Sequence, residues 1–258
     1  MNQIFNLKRF LMLFSKHTAE NYKTYLMSAA VLAGMLAVVI GLGAYLSDGK
    51  LSFSIQFAVF VNFFLIAGCI FTSMMFSDLG DKKKSIPVLM LPASLFEKYL
   101  VAWIYSFVVF QLVMLCCFYS IDYLILNAVK KATEEVKMIN VFSTEPRYWL
   151  VFVFFAVLHS ISLLGAIFFE KMHFIKTAFA FFVFLGFIIL ISNKMMSSLL
   201  DVEIMQSIPL GRLVIKESGK EFLINPPLSS ETIVFYASIL VIIVLWTGTY
   251  FKLKEKEI

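Results

Sequence analysis

The sequence predicts an all-α polytopic membrane protein: six transmembrane helices, an N-terminal amphipathic interfacial helix, and a small extracytoplasmic β-hairpin between the fifth and sixth spans. Three observations carry that expectation. The first is composition: of 258 residues, 60% are hydrophobic and 15% are charged, with a mean hydropathy of +0.88. A soluble domain of this length has too little interior for so many apolar side chains, and its surface would carry more charge. The second is a set of six apolar runs, each long enough to cross ~30 Å of hydrocarbon, which takes about 20 residues. The third is the position of the basic residues, which cluster at the ends of those runs, where they set topology. The net charge of +5 and pI near 9.0 therefore imply no nucleic-acid partner.

The chain reads as a single transmembrane domain, 1-258. Residues 1-23 form a basic lead-in, in which 2–17 suit an amphipathic helix lying along the inner leaflet. Ile4, Leu7, Leu11 and Phe14 share one face at helical spacing, with Arg9 and Lys16 opposite, while Phe5 and Met12 blur the polar side. Lys8, Arg9, Lys16 and His17 interrupt the apolar pattern, so no cleavable signal is expected there. Spans follow at about 24-46, 53-76, 99-126, 148-169, 174-192 and 231-251.

Placing both termini in the cytoplasm puts most Lys and Arg inside, among them Lys8, Arg9, Lys16 and Lys82–Lys84. Tyr22, Tyr25, Tyr99, Trp103, Trp246 and Tyr250 then lie at the inner interface, and Tyr45, Tyr148 and Trp149 at the outer one. Two sizeable loops face outward. In 127–147 the run KKATEEVK suggests a short helix. In 193-230, RLVIKESGKEFLINPP places two β-prone runs around Ser218-Gly219, a dipeptide suited to a tight turn, and Pro226-Pro227 would end the second strand.

Motifs for chemistry are missing. There is no GxxxxGK[ST], HExxH or GxSxG, so the chain has no nucleotide-hydrolysing loop, no catalytic residues, and no cofactor or metal site of a known pattern. Cys69, Cys116 and Cys117 lie inside apolar runs with no metal-binding or disulfide spacing. The polar residues within spans are Asn62, Gln111 and His159. They are candidates either for a pathway or for interhelical hydrogen bonds. A lone His159 offers weak support for a proton-coupled carrier or an intramembrane enzyme. Asp122, near the outer end of the third span, reads as an interfacial residue that snorkels to water.

The inner loop 77-98 carries the strongest local signals, within FSDLGDKKKSIPVLMLPASLFEKYL at 76–100. Ser94-x-x-Glu97 is a capping box that starts the third span, and Pro92 holds Leu91 extended just before it. Asp81 or Ser85 can cap a short segment with Pro87 in its first turn. Topology explains Lys82, Lys83 and Lys84, but not the apolar VLML turn between two prolines.

Taken together, these features resemble the ABC-2 type permeases, the membrane subunits of ATP-binding-cassette exporters. LMLPASLFEKYL at 89–100 and GAIFFEKMHFIKTAF at 165–179 look like the two inner loops of a compact, Bacteroidetes-type branch. The resemblance implies that the chain couples a substrate path to ATP hydrolysis on a separate ATPase subunit, which holds the ATP and Mg, and that it pairs with a second permease copy. It also implies docking by Lys82, Lys83, Lys84, Ile86, Leu89 and Leu91, with Glu97 and Lys98 at the membrane-proximal end and Glu170 and Lys171 as a secondary contact. Lys82–Lys84 and Ser85-Ile86-Pro87 stand where the more familiar ABC-2 loop is richer in Glu and Arg around a Gly-Thr-Leu core. A different class of function fits the same residues: a non-transporting scaffold or assembly subunit of another membrane complex.

Overall fold

The computed structural model describes residues 5–47, 51–76, 90–129, 138–143, 148–200, 203–207, 213–217, 220–224 and 230–256. Six helices run through them: α1 (Leu7–Leu46), α2 (Phe53–Met74), α3 (Leu95–Val129), α4 (Leu150–Phe168), α5 (His173–Leu200) and α6 (Ser230–Glu255). Each is long and apolar enough to cross a membrane. The chain is a multi-pass membrane protein. Lys82, Lys83, Lys84, Ile86, Leu89 and the KKATEEVK run lie outside the described residues.

The N-terminus corrects one expectation. No separate interfacial helix precedes the first span; α1 is one continuous helix of 40 residues. Asn6 starts it, its Oδ1 accepting from the backbone of Lys8 and Arg9 at 3.0 and 3.4 Å. No Gly or Pro occurs before Gly34, so nothing in the backbone breaks the helix where interface and span were expected to part. At 1.5 Å per residue α1 is about 60 Å long, roughly twice the hydrocarbon thickness. Leu7 and Leu11 are exposed, whereas Phe14 stacks on Tyr105 of α3 at 4.8 Å and His17 lies 4.7 Å from the same ring. Arg9 bonds Glu97, and Thr18 bonds Tyr105, at sequence separations of 88 and 87. That near-constant offset makes α1 and α3 a parallel pair.

Two buried clusters hold the bundle. One is a phenylalanine core in which Phe60 and Phe64 of α2, Phe110 and Phe118 of α3 and Phe155 of α4 meet Leu36 and Ile40 of α1. Phe64 and Phe155 have centroids 4.5 Å apart, and Gly68 makes room for them: a Cβ there would fall 2.3 Å from the Phe155 ring. Residues 138–143 close this end, tied by Ile139 N donating to Gln56 Oε1 at 3.0 Å and Val141 N donating to the Tyr119 hydroxyl at 3.2 Å. The other cluster joins Phe76, Tyr99, Ala102, Leu163, Ala166, Ile167 and Leu253, flanked by Trp103, Trp246 and Tyr250.

α4 and α5 form a tight hairpin. Met172, in the short turn, has φ of 54°, a left-handed conformation that a bulky side chain rarely takes. Gly165 lets the helices close, since a Cβ there would meet Thr177 Oγ1 at 1.9 Å. Between α5 and α6 lie three antiparallel strands in the order β1 (Glu203–Ser207), β2 (Leu213–Glu217), β3 (Lys220–Ile224). The two β-prone runs around Ser218-Gly219 are β2 and β3, paired from Leu213↔Ile224 to Glu217↔Lys220. The sequence reading did not include β1, whose pairing with β2 shifts register between Ile204 and Gln206.

Candidate functional site

The start of α3 concentrates the polar geometry. Ser94 is the N-cap: its Oγ accepts from Glu97 N at 3.2 Å, and Glu97 Oε2 accepts from Ser94 N at 2.9 Å, which completes the capping box. The same carboxylate reaches α1. Arg9 Nε donates to Oε2 at 2.7 Å and Arg9 Nη2 to Oε1 at 2.8 Å, a two-pronged pair, while Asn6 N donates to Oε1 at 2.8 Å. Each oxygen thus takes two donors, and a carboxylate offers about four acceptor positions in all. Glu97 is fully buried and saturated. Its charge joins the first turns of α1 and α3.

The remaining described residues of the expected docking surface gather at this end of the bundle. Leu91 and Lys98 are half-buried, and Met90 beside them is exposed. Glu170 and Lys171 are exposed on the α4–α5 turn. The second buried cluster brings these together, because Leu95 and Tyr99 of α3, Ala166 and Ile167 of α4 and Leu253 of α6 pack within it. The aromatics Tyr99, Trp103, Trp246 and Tyr250 pack on one another here, with the Tyr99 hydroxyl donating to Trp246 O at 3.1 Å.

His159 sits deeper on α4 and is fully buried. The indole Nε1–H of Trp246 donates to its Nδ1 at 3.2 Å, and an indole nitrogen can only donate. Nδ1 is therefore bare, the proton is on Nε2, and Nε2–H donates to Ser106 Oγ at 2.9 Å. Ser106 passes its own proton to the Ala102 carbonyl at 2.8 Å. Every group in this chain is used once, and it ties α6, α4 and α3 together. Ser106 lies in a π-helical turn, Ile104–Val109, a feature that often marks a functional segment. The arrangement makes His159 an interhelical strut, since a second ring proton would face the indole N–H.

The other polar candidates part ways. Asn62 is exposed on α2 and donates to its own helix at Ala58 O, 2.8 Å away, so it contributes to no shared site. Gln111 is half-buried on α3. Asp122 corrects the sequence reading: it does not snorkel to water but is fully buried, with neither oxygen hydrogen-bonded among the described residues. Its position follows from spacing, because Phe110, Met114, Phe118 and Asp122 fall at four-residue intervals on the face of α3 that points into the bundle. Gln56, which the sequence reading missed, is also fully buried. The available signal was the same four-residue stripe on α2, Gln56, Phe60, Phe64, Gly68 and Thr72.

Among the described residues no three His, Cys, Asp or Glu side chains are grouped to hold a metal ion. Comparison with protein-family models, with curated proteins and with solved structures finds no match.

Proposed function

We propose that this chain is the permease subunit of an ABC-2 type exporter in a bacterial inner membrane, with both termini cytoplasmic. In this reading two permease copies flank the substrate path, and a separate ATPase subunit binds ATP and Mg and docks on residues 77-98, with Glu170 and Lys171 as a second contact. One observation carries the proposal: the loop expected to receive the ATPase runs directly into the Ser94–Glu97 cap, and that cap is bonded to Arg9 and Asn6. A push on the loop then reaches two helices at once, which is what a mechanically driven permease needs. It supports coupling better than it supports a passive scaffold.

The test is affinity purification of the full chain from its native membrane, followed by an ATPase assay on the eluate. Recovery of an ATPase chain that the permease stimulates is the expected result. Charge reversal of Lys82–Lys84, or Leu89→Asp with Leu91→Asp, should lower that recovery while insertion stays intact. Recovery of other membrane proteins with no ATPase would establish the scaffold reading instead.

A further inference from the structure

Among the described residues two carboxylates are fully buried, Glu97 and Asp122, toward opposite ends of α3. Glu97 is saturated with donors, whereas neither oxygen of Asp122 has one. The phenylalanines beside Asp122 fix its level in the bundle. The Phe60 and Phe118 rings are 5.0 Å apart and Phe64 meets Phe110 at 6.1 Å, so α2 and α3 run antiparallel. Gln56 lies one turn beyond Phe60 and Asp122 one turn beyond Phe118, which sets these two buried polar side chains at the same level. Residues 138–143 cover that level. Ile139 N donates to Gln56 Oε1 at 3.0 Å, Val141 N donates to the Tyr119 hydroxyl at 3.2 Å, and Ile139 and Val141 are themselves buried in the phenylalanine core.

No counter-charge answers Asp122 among the described residues. The elements packed in this cluster are α1, α2, α4 and residues 138–143. From Thr24 onward α1 has no charged residue, and α2 and residues 138–143 have none at all. On α4 the titratable ring is His159, bonded to Ser106, about 24 Å back along α3 from Asp122. The other titratable groups toward this end are phenols: Tyr119 accepts from Val141 N, Tyr148 stacks on Phe57 at 4.0 Å, and Tyr45 and Tyr123 are exposed. Cys116 and Cys117 lie more than a turn back along α3. An ionised carboxylate here would lose its water and gain neither a donor nor a cation, so keeping a proton costs less. A metal ion would need several further oxygens, which an apolar core does not offer; a proton needs none.

From this geometry we propose that Asp122 is a proton-binding site, and that its proton keeps residues 138–143 seated over this end of the bundle. With the proton bound, the carboxyl is neutral and the apolar cover suits it. When the proton leaves to water, the carboxylate requires hydration. Water reaches it when residues 138–143 lift from Gln56 and Tyr119. The seated form thus holds a proton that the lifted form, a hydrated carboxylate ionising at about pH 4, has lost. Seating is favoured at low pH. The ratio of lifted to seated form rises about tenfold per pH unit above that point, until the seated form itself ionises. This site belongs to one copy of the chain and stands whether or not an ATPase docks.

The experiment uses the purified full chain, made with isotope-labelled aspartate, in lipid nanodiscs. Infrared spectroscopy reads aspartate protonation, and hydrogen exchange of the peptide spanning 138–143 is followed in the same samples. One neutral aspartate band is expected at neutral pH, and it should be absent from Asp122→Asn. Exchange of the Ile139 and Val141 amides, corrected for the intrinsic effect of pH, should quicken about tenfold per pH unit until the band disappears. In Asp122→Asn, a side chain that stays neutral, exchange should remain slow and independent of pH. If that variant does not insert, the parent decides alone, because band and protection should be lost together as pH rises. No neutral aspartate at neutral pH, or one that persists in Asp122→Asn, would overturn the proton site. The first of these is what a pair with Lys130 or Lys131, outside the described residues, would produce. Exchange that ignores pH, or that follows it equally in Asp122→Asn, would overturn the link to residues 138–143.

Discussion

α4 and α5 are neighbours in sequence and almost equal in mean hydropathy, 2.4 and 2.5, yet half of the α4 window is buried and only 6% of the α5 window is. In water an apolar helix goes inside; in a bilayer both fates suit it, because lipid tails are as apolar as a protein core. What separates the two helices is small and polar content. α4 carries His159, Ser160, Ser162, Gly165 and Ala166, all buried, whereas α5 presents Phe179, Phe182, Phe184 and Phe187 outward. Small residues let backbones approach, and polar ones find partners across the interface.

That contrast can be broken most severely at Gly165. Gly165→Leu should destabilise the protein by about 3 kcal/mol in thermal denaturation in detergent, because the side chain must displace Thr177. Thr177→Ala placed in the same chain should recover part of the loss; no recovery would mean that the hairpin is not limited by this contact. His159→Phe should cost about 2 kcal/mol by leaving the Trp246 N–H and Ser106 without their shared partner. The pH profile of any transport activity should be unchanged by it, and a lost pH dependence would restore His159 as a proton site.

A smaller effect is expected where α3 begins. Glu97→Gln should lower the melting temperature, and Arg9→Met should add little on top of it, since both remove one pair. Full additivity in the double mutant would refute the bond between α1 and α3. Smallest of all, Phe184→Leu and Phe187→Leu on α5 should stay within about 0.5 kcal/mol of the parent, as exposed positions on an apolar helix face. A large loss at either would show that α5 is covered by protein in the native membrane.

The six spans were legible because about 20 consecutive apolar residues have few other uses. The start of α3 was legible too, since a capping box is a local pattern and Ser94 and Glu97 are three residues apart. The absence of Gly and Pro before Gly34 was a readable sign that α1 would not break, but the shift from charged to apolar composition outweighed it. Other features had no local signature. Nothing near Glu97 announces Arg9, 88 residues away, and nothing near His159 announces Trp246, 87 residues away. Asp122 was misplaced because charge near a span end usually means water, whereas its helical phase matches Phe118 and Met114. Facing direction was the information missing in each case.

The parallel pairing of α1 and α3 has a consequence for biogenesis. Neighbouring spans in a membrane protein meet as antiparallel hairpins while the chain is being made, so most contacts form soon after their residues emerge. α1 can do this with α2, through Leu36 and Ile40, but not with α3, because α2 must cross first. The first turns of α1 are thus synthesised first and joined to α3 late, with Arg9 bonding a carboxylate that leaves the ribosome 88 residues after it. A chain arrested before residue 95 would hold α1 and α2 in the membrane without that bond, an intermediate whose lifetime the supply of Glu97 decides.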